Sequence, residues 1–336
     1  DPLMASWIRS LRFSTKLIIL SILPTLVALF LGGVLLVDQI TEKKHLETIE
    51  RSLTLAGLLD NIAHQHAIER GLTSGYLASK GENGNTLLLG QRDKSDQSWS
   101  DFVAYYNTES YFKEQALISK YYDELSGLIG QNSHIRSQVD ALLADNTAFT
   151  HYSGLNLATL NLIEATGVLI DDHELSELFF SYRYLLITKE NAGQVRGLLN
   201  GFFSNGALNF MQRSEIGNII QQQNIAFRKA ADHTHGDTKK LVEDFISTNT
   251  YKKVSDVENI ILNPAQHIDD INDTTRTNWF ELATLNINTL KNISDNTALQ
   301  LKDYLNNHEA TAENNFILGI IVLSVMAICI LSFAVG

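Results

Sequence analysis

The chain has 336 residues, 44% of them hydrophobic, with three prolines and a formal net charge of −12. That length and apolar content suffice for a sizeable core, while the acidic balance offers no basic face for phosphates and excludes nucleic acid as a partner. A lone cysteine, Cys329, rules out an intrachain disulfide framework and a cysteine-rich zinc site.

In chain order, residues 1–16 read as a cytoplasmic tail, with Asp1 to Leu3 expected to be a remnant ahead of a natural start at Met4. Residues 17–37, "LIILSILPTLVALFLGGVLLV", carry no charge and are long enough to cross the hydrocarbon of a bilayer. Arg9, Arg12 and Lys16 precede this stretch and Asp38 follows it, so the positive-inside rule places the N-terminus in the cytoplasm. Residues 38–315 are then extracytoplasmic, and residues 316–336, again free of charge, form a second span that returns to the cytoplasm. An output region beyond Gly336 is expected.

The outer region reads as helical throughout. From Asp38 to Lys80 apolar residues recur three and four apart (Ile40, Leu46, Ile49, Leu53, Leu58, Ile62), and Gly81 and Gly84 supply a stop. Further helices are expected over about 86–107, 111–129, 133–170, 174–204, 208–232 and 237–262, and a last one over about 276–335 enters the second span. No hairpin signal occurs. Short connections between many helices predict an all-α fold of two up-and-down four-helix bundles, flanked by the two spans.

One pattern occurs twice. "RGLTSGY" at Arg70 and "RGLLNGF" at Arg196 align Arg70 with Arg196, Gly71 with Gly197, Gly75 with Gly201 and Tyr76 with Phe202. Glycine inside a helix costs about 1 kcal/mol relative to alanine. Two glycines four apart share a helix face and would open a groove for close approach. The arginine offers a planar fork of donors suited to an oxyanion with two accessible oxygens, and Tyr76 or Phe202 could shield the site. On spacing alone two readings stand: helix-packing sites with Arg70 and Arg196 paired to Glu69 and Glu190, or a shared anion site. His64 and His66, two apart on a helix, make poor zinc spacing and read as surface histidines. His233 and His235 read as a chance pair in a turn. No catalytic signature appears, so no enzyme and no cofactor are expected.

The stretches "ERGLTSGYLASKG" and "YRYLLITKENAGQVRGLLNGFF", in this order, resemble the bacterial nitrate- and nitrite-sensing domain, with its ERG-like and KE-x-x-G-x-x-R-like signatures. The resemblance implies an all-helical, two-bundle domain that binds nitrate or nitrite through the arginine of each signature, here Arg70 and Arg196. Gly71, Gly75, Gly197 and Gly201 are expected to complete the ligand site. In this chain Gln194 and Val195 precede Arg196, where an acidic residue often stands. A chemotaxis receptor of the inner membrane is the layout implied, working as a homodimer, with a histidine kinase or diguanylate cyclase as alternative outputs. The rival reading is a periplasmic ectodomain that docks a protein partner.

Overall fold

The computed structural model describes residues 13–144, 146–205 and 208–335, and every regular element among them is helical. The elements are α1 (Phe13–Ala78), α2 (Asn85–Thr108), α3 (Ser110–Glu114), α4 (Ala116–Ile129), α5 (Asn132–Asp140), α6 (Thr147–Gly167), α7 (His173–Asn205), α8 (Phe210–Asp232), α9 (Gly236–Ser247), α10 (Asn249–Leu262), a 3₁₀ turn (Ile268–Asp270), α11 (Asp273–Thr277) and α12 (Trp279–Val335). Arg9 and Arg12 of the expected tail lie outside the described residues, as do Gly206 and Gly336.

The chain divides into two compact units. One comprises the residues up to Glu50 together with those from Tyr304 onward. Here α1 and α12 carry segments long and apolar enough, by length and composition, to cross a membrane. Phe30, Leu35 and Ile328 are exposed. A Cβ at Gly32 would overlap Leu323, and one at Gly319 would lie 3.3 Å from Leu36 Cδ2, so each glycine admits a neighbouring side chain from the other helix.

The other unit is Arg51–Asp303. Its helices form two bundles. In the first, α1, α2, α5 and α6 pack Leu72, Tyr76, Leu88, Ile135, Val139 and Tyr152 together, and Tyr106 on α2 stacks on Tyr122 of α4 at 4.2 Å. In the second, α7, α8, α10 and α12 bury Val195, Leu199, Ile220, Val257 and Trp279, and α9 adds Val242 and Phe245 against Leu185 and Leu290. Trp279 is 1% exposed and donates its Nε1–H to the Arg196 carbonyl at 3.1 Å. Burying such a side chain contributes about 3 kcal/mol, and it pins the start of α12 to α7.

Three expected helices are broken. The stretch 133–170 is interrupted at 141–144, because α5 ends in a Schellman-type turn: Leu143 N–H bonds Gln138 O at 2.8 Å and Leu142 N–H bonds Val139 O at 2.9 Å. Leu142, with φ 56°, takes the left-handed position usually given to glycine, so the sequence carried no stop signal. Stretch 111–129 breaks at extended Gln115, and 237–262 at Thr248, whose hydroxyl caps α10 by accepting from Tyr251 N–H at 3.1 Å.

Candidate functional site

The middle of α1 is a wall shared by both bundles. His66 and Glu69 project into the first bundle, whereas Asp60, Ala63, His64 and Ala67 line a cavity of about 360 Å³ bounded by α1, α6, α7 and α12. Arg70 reaches across to α7.

Arg70 is almost fully buried and its fork is occupied. Its Nη1 donates to Glu190 Oε1 and to Ser153 Oγ (3.0 Å), its Nη2 to Glu190 Oε2 (3.3 Å), and the guanidinium lies over Phe149 at 5.2 Å. Glu190 also accepts from Asn156 Nδ2 at 2.8 Å and from Gln194 Nε2 at 2.9 Å. A buried carboxylate with this many donors is a settled ion pair. Gln194, two residues before Arg196, thus supports Glu190.

Arg196 is different. Among the described residues no carboxylate lies within salt-bridge distance of it. Its Nη1 donates to Thr284 Oγ1 at 3.0 Å and its guanidinium stacks over Phe280 at 4.8 Å. Its Nε is buried without a partner, and among the described residues no hydrogen bond is found on Nη2. The Nε–Nη2 edge, one of the two edges that grip a planar oxyanion bidentately, is thus left open. Burial, reinforced by the charge of Arg70, pushes the Arg196 pKa down to about 10. Both causes disfavour the cation, and an added anion would relieve both.

The two arginines cross. A Cβ at Gly71 would lie 3.6 Å from Arg196 Nη2, and one at Gly193 only 3.1 Å from Arg70 Nη2. Each guanidinium therefore passes the bare backbone of the opposite helix, and the glycine partners are Gly71 and Gly193. The other three expected glycines have no guanidinium against them. A Cβ at Gly197 would meet Phe149 at 3.1 Å, while Gly75 and Gly201 have nothing within 4 Å. Gly197 and Gly201 line a separate cavity of about 870 Å³.

Several other readings need correction. Glu69 is not a partner of Arg70 or Arg196: it is fully buried against Arg136 (2.8 and 3.0 Å) and the Tyr152 hydroxyl (2.6 Å). Tyr76 and Phe202 do not shield the arginines, because both pack into core clusters, and Phe149 and Phe280 cover them instead. His66 is fully buried, between the Ile62 carbonyl at 2.9 Å and Asn132 at 3.3 Å. His233 pairs with Glu177.

The cavity has two ends. Gly193, Ala67 and Ala63 are small and leave its middle open, lined by Ile68, Leu186 and Ile287. Lys189 and Arg196 are two helical turns apart on α7, as are Lys291 and Thr284 on α12, a span of about 10 Å. At the far end Lys189 pairs with Asp60 at 2.9 Å and Lys291 with Asp295 at 2.6 Å. His64 sits there too, its pKa lowered to about 4 by burial and by both lysines, so it is neutral at pH 7. The charges of this layer cancel. Arg70, Arg196 and Glu190 do not, and leave one positive charge uncompensated beside the cavity.

A family model for nitrate and nitrite sensing matches residues 61–302. The chain belongs to the nitrate- and nitrite-sensing family. The matched region contains both arginines, Glu190, Gly193 and Thr284, and its function is sensing of these oxyanions. The solved structure of the NasR transcription antiterminator shares the fold, with a TM-score of 0.69 at 18% identity over 84% of this chain and 80% of that chain. No curated protein matches the chain. Every fixed residue of the family signature KE-x-x-G-x-x-R makes a distinct contact. Lys189 holds Asp60, Glu190 holds Arg70, Gly193 admits the Arg70 guanidinium and Arg196 faces the cavity. The sequence could have pointed to Gly193, which stands in that signature; it carried no signal for Thr284, Phe149 or Phe280, which come from distant helices.

Proposed function

We propose that this chain is the sensory part of a transmembrane receptor, and that nitrate or nitrite binds at the open edge of Arg196. The observation that carries the reading is a half-buried guanidinium whose buried Nε has no partner and which has no carboxylate within salt-bridge distance among the described residues, in a wall one positive charge in excess. A single monovalent planar anion matches that excess and the geometry of the edge. Arg70 acts behind it, holding Glu190 away from Arg196. Without Arg70 the carboxylate would become the nearest partner for Arg196 and a competitor of the ligand.

The anion would tie α7 to α12, because Thr284 of α12 already bonds Arg196. It would select the arrangement in which these helices close on it, and shifts of about 1–2 Å suffice for such switches. The same helix α12 extends to Val335 through its apolar segment, and α1 carries the other apolar segment. We read these as the two spans of an inner-membrane receptor with its sensor in the periplasm, working as a homodimer and feeding a chemotaxis output.

The test is calorimetry on the full chain with nitrate, nitrite, chloride and sulfate. Nitrate and nitrite should bind, and binding should be lost in Arg196→Ala and not restored by Arg196→Lys, since an ammonium has no fork. Wild-type affinity in Arg196→Ala would overturn the assignment.

A further inference from the structure

The cavity is larger and less polar than a three-oxygen anion needs. At about 360 Å³ it falls within the range of pockets that hold organic ligands. Past the single open cationic edge its walls are mainly apolar, with His64, Asn288 and the Arg70-bound Glu190 also on the lining and the Lys189–Asp60 and Lys291–Asp295 pairs at the far end. That is the layout of a site for a head group and a tail: one charge recognised at one end, hydrocarbon accommodated next to it.

The head group is constrained. A carboxylate presents two coplanar oxygens and one negative charge, the features that the Nε–Nη2 edge of Arg196 accepts, and Glu190 on Arg70 shows a carboxylate held by the neighbouring arginine in this same wall. A dianion fits poorly, because only one positive charge is uncompensated. The tail is constrained too. Ile68, Leu186 and Ile287 offer it apolar contact, and Ala63, Ala67 and Gly193 leave the room.

We propose that this cavity also binds short-chain aliphatic monocarboxylates, with the carboxylate on Arg196 and the chain running toward His64, in competition with the inorganic anion. The proposal rests on the assignment of the anion to Arg196. It makes the site one that reports either ligand class through a shared head-group contact, with the tail contributing affinity that nitrate cannot reach.

The experiment is a competition series on the full chain, measured by calorimetry with acetate, butyrate and hexanoate, alone and with nitrate present. Each methylene placed against the apolar wall should tighten binding roughly fourfold, nitrate should compete with every member, and Arg196→Ala should abolish all of it. Gly193 is avoided as a probe because of Arg70. Ile287→Trp, which fills the middle of the cavity, should instead remove the chain-length dependence while leaving nitrate binding intact. Affinity that is flat with chain length, or carboxylate binding that nitrate does not displace, overturns the proposal while the nitrate assignment stands. Absence of nitrate binding in the wild-type chain overturns that assignment instead. Should Ile287→Trp fail to fold, Leu186→Phe tests the same space from α7.

Discussion

Arg70 and Arg196 stand in the same local sequence pattern, yet the structure predicts opposite effects on stability when each is replaced by alanine. Arg70 is the main partner of a buried carboxylate. Its removal leaves Glu190 with two amide donors and no counter-charge, and breaking a buried pair in this way costs about 3–5 kcal/mol. Arg196 is a cation held in the folded state against its own preference. The lowering of its pKa to about 10 corresponds to a penalty of about 3 kcal/mol at neutral pH, which screening reduces to about 1–3 kcal/mol. From about pH 10 upward the unfolded chain, whose arginine keeps its ordinary higher pKa, holds more protons, so stability rises with pH there and the penalty is in full force below. Arg196→Ala removes this penalty but forfeits about 1 kcal/mol of stacking on Phe280. It should therefore be neutral or mildly stabilising without ligand, whereas Arg70→Ala should melt earlier by something on the order of ten degrees. The assay is thermal unfolding of the full chain followed by circular dichroism, with and without nitrate. Neither variant should respond to nitrate. If Arg196→Ala destabilises the ligand-free protein as much as Arg70→Ala does, Arg196 has a counter-charge that the geometry does not show, and the charge argument for the anion site fails.

Further outcomes follow from single contacts. Gly193→Ala should cost about 1–3 kcal/mol by crowding the fixed Arg70 guanidinium, whereas Gly201→Ala, in open space within a helix, should stabilise by about 0.5–1 kcal/mol and leave nitrate affinity unchanged in a titration. Leu142→Gly should raise the denaturant midpoint slightly, relieving a left-handed backbone at φ 56°; a loss of about 1 kcal/mol or more would mean that the Leu142 side chain is needed. Glu258, buried and bonded to Gln223 at 2.8 Å, has its pKa raised from 4.5 to about 7 by burial. The folded state then holds the extra proton, so stability should fall by about 3 kcal/mol as pH rises from 4.5 to 7, and chemical denaturation should show that slope removed in Glu258→Gln. A Gly-Gly insertion beside Asn306 in α12 should spare nitrate affinity and abolish the response of an output module fused after Gly336; a preserved response would sink transmission along that helix.

Much was legible in the sequence, because it depends on local periodicity and composition. Two charge-free stretches, the three- and four-residue recurrence of apolar positions and the near absence of proline specify long helices, and the order of the two signatures specifies the family. Helix ends were legible where glycine marked them, as at Gly81 and Gly84, and illegible where leucine or threonine did the same work, as at Leu142 and Thr248. The repeated arginine–glycine pattern suggested a symmetry that folding does not respect. Sequence spacing says which residues share a face of their own helix; it carries no information on what stands opposite. Only packing decided that Glu190 goes to Arg70 and not to Arg196, that Glu69 is taken by Arg136, and that the bare backbone beside Arg70 is Gly193, three residues before Arg196, and not Gly197, one after it. The difference between a settled ion pair and an unpaired guanidinium edge is a matter of which helix supplies a carboxylate within reach, and that is set by the crossing of α1, α7 and α12.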